Sequence, residues 1–180
     1  MIRLFDEIPT LENRRLVLQR LYDADSEDLR EFAHDRSVYR YLPTFLFEQK
    51  YEDPHLAIRK LYSECFQAKE SLILGVFLKD TKAFCGLAEF YGFKDALHKT
   101  CVGYRLAEKH WGHGIATETV ALMVDYLYSR TDIEIITAST MVENRASARV
   151  LEKNGFQMSV AAVPEDWGYP QPTIADKWFR

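Results

Sequence analysis

Apolar positions repeat along this chain at two periods, and the periods divide it into elements. Leu16 and Leu18 alternate with more varied neighbours, which predicts a strand over about 14–20. Asp23-Ala24-Asp25-Ser26 supplies a helix N-cap, Glu27 and Asp28 put acid in the first turn, and Leu29, Phe32 and Ala33 hold helical spacing to about His34. A second short helical piece is expected over about 36–41, stopped before Pro43. Pro54 opens another helix, with Leu56, Ile58, Leu61, Tyr62, Cys65 and Phe66 on its apolar face. Ser71–Leu78 is a short apolar run that reads as a buried strand. Lys79-Asp80-Thr81-Lys82 turns the chain into its hairpin partner over 83–91. Residues 92–99 read as a polar connection and 100–106 as the next strand. A helix follows to about Arg130, then a β-branched strand over 133–140. Asn144 caps the start of a further helix and Gly155 stops it, with Phe156 as the apolar residue beyond. Strands over 156–162 and 173–179 complete the chain. Strand, helix, strand across 100–140 predicts a parallel pair with a right-handed crossover.

The junction inside that crossover carries the first candidate chemistry. Val102-Gly103-Tyr104-Arg105-Leu106 leads into His110-Trp111-Gly112-His113-Gly114-Ile115-Ala116-Thr117-Glu118, a strand feeding a glycine loop and a helix start. Gly112 and Gly114 lack Cβ, so a ligand can approach the backbone closely. The first N–H groups of the helix have no partner within it, and with the helix dipole they favour a phosphate or pyrophosphate. A turn before a buried helix explains the same residues, because a short Gly-x-Gly is weak evidence by itself. The aromatic stretch from Tyr39 to Tyr51, with Tyr41, Phe45 and Phe47, has two readings as well: the lining of a substrate pocket, or plugs covering the end of a sheet.

Composition narrows the class. The chain has 180 residues, 47% hydrophobic and 28% charged, as in ordinary globular proteins. A net charge of −4 and a pI near 5.8 argue against a broad nucleic-acid surface. No apolar run approaches the roughly 20 residues that span a bilayer. The N-terminus turns acidic at Asp6-Glu7 where a signal peptide would be apolar, so a cytoplasmic location is the expectation. Cys65, Cys85 and Cys101 are an odd set without C-x-x-C spacing and are expected to be free thiols. Among His34, His55, His98, His110 and His113 only the last pair shows spacing of interest, and further ligands for a metal are missing.

Taken in order, four segments resemble the GNAT superfamily of acyl-CoA-dependent N-acetyltransferases, most closely its ribosomal-protein N-terminal acetyltransferase branch. They are Leu16-Val17-Leu18-Gln19-Arg20 with Asp25 to Phe32 behind it; Gly103 to Leu106; Trp111 to Glu118; and Asn144-x-x-Ser147-Ala148-x-Val150-Leu151-x-Lys153-x-Gly155-Phe156. The resemblance spans roughly residues 10–160. It implies one domain over 1–180 of the α/β (α+β) class: a mixed, mostly antiparallel sheet of about seven strands, helices on both faces, and one splayed parallel pair forming a CoA cleft. It implies acetyl-CoA as cosubstrate, no metal, and an acceptor that is a small-molecule or peptide amine. No nucleic-acid or membrane partner is implied, and the chain is expected to be a monomer or homodimer. The implied CoA contacts are Tyr104, Leu106, Trp111, Gly112, His113, Gly114, Ile115, Ala116, Thr117, Asn144, Ser147 and Arg149. Asn144 would bond the pantetheine arm and Ser147 would lie beside the thiol, although capping alone accounts for both.

Three departures matter. Trp111 stands where the family loop has Gln or Arg, which costs little because backbone N–H groups hold the phosphates. Leu151 stands where many members place a tyrosine as general acid, and Ser147 is the substitute. Thr100 and Cys101 stand where others place a glutamate base, and Glu89 is the candidate instead, with Glu165 and His98 as weaker alternatives. These departures motivate a second reading, a non-catalytic acyl-CoA-binding or regulatory module. A dinucleotide-binding oxidoreductase is the third. Against it, the third glycine is absent and Glu134 begins its strand, where a ribose-binding acid should end one.

Overall fold

The computed structural model describes residues 1–180. Its strands are β1 (Leu11–Glu12), β2 (Leu16–Gln19), β3 (Ser71–Leu78), β4 (Phe84–Lys94), β5 (Lys99–Leu106), β6 (Ile135–Met141), β7 (Gln157–Glu165) and β8 (Thr173–Phe179). Its helices are α1 (Ser26–His34), α2 (Pro54–Lys60), α3 (Ile115–Arg130) and α4 (Arg145–Lys153). The strands form one sheet in the order β1-β2-β3-β4-β5-β6-β8-β7. Every neighbour is antiparallel except β5 and β6.

Alternation along the central strands explains why both faces are covered. Successive side chains in a strand point to opposite faces. Leu72, Leu74, Val76, Phe90, Val102 and Leu106 fall on one face and pack with Ile115, Val120 and Met123 of α3 and Leu151 of α4. Ile73, Phe77 and Leu87 fall on the other and pack with Leu29 and Phe32 of α1 and Ala57 and Ile58 of α2. The helices are set by local chemistry. Asp53 caps α2 by accepting from the His55 amide, with Pro54 at the first helical position. Beyond α2 the helix widens into a π-wound segment, Leu61–Cys65, which buries Leu61, Tyr62 and Cys65. No helix is long and apolar enough to cross a membrane.

The mixed, mostly antiparallel sheet with one parallel pair is as expected; its eighth strand comes from two residues, Leu11 and Glu12, that pair with the edge of β2. Three expectations are corrected. Residues 36–41 form turns, not a helix. Too few residues lie between Asp35 and Pro43 to repay nucleation. The Asp35 carboxylate also takes the Ser37 amide and hydroxyl at 2.9 and 2.6 Å, a local alternative to helical bonding. The connection over 92–99 is half strand: β4 continues to Lys94, a 3₁₀ turn follows at Asp95–Leu97, and β5 begins at Lys99. Finally, β6 starts at Ile135 rather than 133, because the Glu134 and Ile135 amides donate to the His98 carbonyl at the end of that turn.

One buried ion cluster ties an irregular loop to this sheet. Arg105 on β5 donates through Nε and Nη2 to the two oxygens of Glu48, at 2.5 and 2.6 Å, and through Nη1 to Glu89 on β4, at 2.7 Å. The Glu48 and Arg105 side chains are 0% and 3% exposed. The Tyr39 hydroxyl donates to Glu48 at 2.9 Å. Burial works against the Arg105 charge, but the two carboxylates more than offset it and hold the guanidinium above its ordinary value. Removing Glu48 strips Arg105 of two of its three buried charge-assisted bonds and leaves Glu89 as its one counter-charge. Glu48→Ala is therefore expected to lower the unfolding free energy by about 3–5 kcal/mol in a urea titration. Glu64→Ala, which breaks an exposed i,i+4 pair with Lys60, should change it by less than about 0.5 kcal/mol.

Candidate active site

The site begins where two parallel strands stop pairing. β5 and β6 pair at Lys99–Ile135, Thr100–Ile136 and Cys101–Thr137, and the register ends there. Beyond it β5 stays with β4, while β6 turns to β8. The gap opens into a cavity of about 820 Å³. Cys101 and Thr137 meet at its closed end, Sγ to Oγ1 3.0 Å.

The glycine loop stands at the open end of β5. Gly112 and Gly114 have φ of +74° and +77°, the left-handed region that residues with a Cβ enter at a cost. At Gly112 a Cβ would meet nothing within 4 Å, so conformation rather than crowding demands glycine. The loop delivers the chain into α3 with Gly114 as N-cap and no side-chain cap. No backbone N–H from Gly112 to Thr117 donates to an acceptor within the chain. Six consecutive donors at the positive end of a 16-residue helix make an anion cradle. Two struts fix it. The Trp111 indole donates to the Leu106 carbonyl at 2.8 Å, pinning the loop to the end of β5. Arg15 donates to the His113 carbonyl at 2.7 Å and pairs with Glu118 at 2.9 Å, while Asn13 donates to the same carboxylate. The hairpin of β1 and β2 thus braces the loop from outside.

Across the gap, α4 presents its N-terminal turn. The Asn144 side-chain oxygen Oδ1 accepts from the Ser147 amide at 3.2 Å, which closes the cap and leaves the two Nδ2 hydrogens free of intramolecular acceptors. The Tyr104 hydroxyl donates to Ser147 Oγ at 3.3 Å, so a side chain of β5 spans the gap. Burial pushes the Tyr104 hydroxyl above its ordinary value and keeps it protonated at neutral pH.

Of the residues expected from sequence, Tyr104, Leu106, Trp111, Gly112, Gly114, Ile115, Ala116, Thr117, Asn144, Ser147 and Arg149 all line this cavity, and so does Glu89. His113 does not line it; its carbonyl serves the Arg15 strut and its side chain is exposed. The Glu89 carboxylate is already engaged, accepting from Ser71 Oγ at 2.6 Å and from Arg105 at 2.7 Å. Glu165 lines the cavity paired with Lys177. His98 lies at the far end of β5, 3.4 Å from Asp132, and does not reach the site. No group of three His, Cys, Asp or Glu side chains is placed to hold a metal ion. Sequence reasoning missed Arg15, Glu48, Arg105 and Trp167. Each acts through a partner far away in the chain, and no local pattern marks it.

Comparison with known proteins agrees with this geometry. Residues 15–157 match the family model described as an acetyltransferase (GNAT) domain. Among curated relatives, the uncharacterized N-acetyltransferase YoaA of Bacillus subtilis (strain 168) is 28% identical over 149 residues, covering 83% of each chain. A GNAT-family acetyltransferase from Bacillus anthracis superposes with a TM-score of 0.80 at 21% identity, covering 96% of this chain and 98% of that one. A ribosomal L7/L12 α-N-protein acetyltransferase, solved in complex with coenzyme A, superposes with a TM-score of 0.79 at 15% identity over 96% and 97% of the two chains. With the family model covering most of its length, this chain belongs to the GNAT acetyltransferase family.

Proposed function

We propose that this protein transfers the acetyl group of acetyl-CoA to a primary amine by direct attack of the amine nitrogen on the thioester. The observation that carries this reading is the run of partnerless N–H groups from Gly112 to Thr117 at the mouth of the β5–β6 gap. Such a run selects a pyrophosphate, and the gap beside it offers strand backbone to an extended arm. The ribosomal-protein acetyltransferase of the same fold was solved with coenzyme A, which supports this choice of ligand.

Acetyl-CoA supplies an activated carbonyl. The chain supplies placement and protons. Asn144 offers its free Nδ2 hydrogens to an amide of the pantetheine arm. Arg149 and Lys153 add positive charge along the phosphate end of the cavity. Ser147 accepts from Tyr104, so its own hydrogen remains to be given to the departing sulfur. An amine arrives largely as ammonium, with pKa near 8 for an α-amino group and near 10.4 for a lysine. It must lose a proton before it attacks. Glu89 receives that proton, directly or through water, on the acceptor sites that Ser71 and Arg105 leave free. The new C–N bond forms as the C–S bond breaks, and the second proton that the nitrogen sheds on becoming an amide restores the Ser147 hydroxyl through water.

Four outcomes test this reading. CoA should raise the melting temperature, and a thiol-release assay with acetyl-CoA should respond to amines; neither response with any amine would refute the proposal. Gly114→Ala places a Cβ at φ +77°, a strain of about 1–2 kcal/mol. It should raise KM for acetyl-CoA roughly tenfold with a smaller change in kcat. Ser147→Ala and Glu89→Gln should each lower kcat by about 10²-fold, the usual share of one positioned proton-transfer group. Burial pushes the Cys85 thiol up to about 11 and raises that of Cys65. At pH 8 only about one Cys85 in a thousand is thiolate, so a thiol reagent should leave both unlabelled in the native protein. Cys101, half-buried in the cavity wall, should label, and CoA should slow it.

A further inference from the structure

The charge along the cavity is divided. Glu70, Glu89, Glu165 and Asp166 line the part facing α1 and α2, whereas the part facing α3 and α4 carries Arg149 and Lys153 and no carboxylate. In the acidic part, Lys177 is matched to Glu165, and Lys50 of the α1–α2 loop stands over the Phe47 ring at 5.2 Å. Arg105 faces two carboxylates, Glu48 and Glu89, so that buried cluster keeps a net negative charge. Around it the walls are apolar and aromatic: Tyr41, Leu42, Phe45, Phe47, Tyr91 and Trp167. Such rings accept flat apolar groups and attract cations over their faces.

This end of the cavity is also roofed. The Thr44 amide donates to the Trp167 carbonyl at 2.9 Å, and the Tyr169 hydroxyl donates to the Leu42 carbonyl at 2.7 Å. Gly168 between them sits at φ +84°, and a Cβ there would collide with Thr44 Oγ1. The loop between α1 and α2 and the loop between β7 and β8 are thereby tied into an arch. A protein N-terminus would have to carry the rest of its chain out past this arch.

Resting on the function proposed above, we infer that the acceptor is a small primary amine on an aromatic or other flat apolar body. The body lies among the rings beneath the arch, and the amino group points to Glu89 and the β5–β6 gap. The arch residues Thr44, Trp167, Gly168 and Tyr169 then set acceptor size.

The test compares 2-phenylethylamine and tryptamine with spermidine and with short peptides beginning in alanine or serine. Thiol release is measured with each, and acetyl-CoA binding is measured separately by calorimetry. The aryl amines should show kcat/KM at least tenfold above the other acceptors, and they should bind the CoA complex in the calorimeter. Gly168→Ala should raise KM for the aryl amines severalfold while leaving acetyl-CoA affinity unchanged. Tyr169→Phe, which removes one bond of the arch without backbone strain, should move KM the same way by less. Intact acetyl-CoA binding with spermidine or peptide preferred, or with no aryl amine turned over, overturns the acceptor class alone. Absent acetyl-CoA binding overturns the function on which it rests. A loss of acetyl-CoA affinity in both arch variants, with aryl-amine KM unmoved, overturns the role given to the arch.

Discussion

Parallel neighbours in a sheet normally share an even ladder of hydrogen bonds. Here β5 and β6 share three register pairs and then part. Each strand finds support on its other side, β5 from β4 and β6 from β8, so the divergence does not unravel the sheet. It leaves backbone polar groups facing one another across a space too wide for them to bond. Buried backbone groups without partners are costly, so a ligand that offers amides of its own gains what the strands forgo. The rest of the site is arranged about that gap. The glycine loop stands at its mouth, α4 caps its far side, and Tyr104 bridges it to Ser147.

Two kinds of bracing keep the gap in shape. One is polar and local to the loop: the Trp111 indole, the Arg15 guanidinium and the Glu118 carboxylate fix a segment whose glycines would otherwise be free. The other is ionic and buried. Arg105 holds Glu48, in the 3₁₀ turn Phe47–Gln49, against β5 and brings the aromatic loop around that turn to the edge of the cavity. A buried ion pair is weak evidence for stability, since apolar residues often pack as well in its place. Its geometry here, two parallel bonds between planar groups, fixes orientation as well as distance.

Much of this was legible in sequence, and the reason differs from element to element. α3 and α4 were legible because their caps are local: glycines before Ile115, Asn144 before Arg145, Gly155 after Lys153. The hairpin of β3 and β4 was legible from its apolar runs and turn. The end of β4 was not, because Gly92 at φ +59° interrupts the run, and the register shifts there before Lys94 pairs again with Lys99 of β5. β1 was missed because its two residues are strand only with β2 beside them. At the site, the residues that meet a ligand through backbone or a local cap were visible, and those that act through distant partners were not. Glu48 and Arg105 lie 57 positions apart, and nothing in either neighbourhood announces the other.

The parity of β5 has one more consequence. Tyr104 lies on the face of the sheet that packs against α3 and α4, and Arg105, the next residue, lies on the face that packs against α1 and α2. The gap is therefore a passage through the sheet rather than a groove on it. For the transfer proposed, the acyl donor enters from one side and the amine from the other, so neither obstructs the other's route. Such a protein assembles both substrates at once. It has no need to park the acyl group on a side chain of its own, and its kinetics take the sequential rather than the ping-pong form.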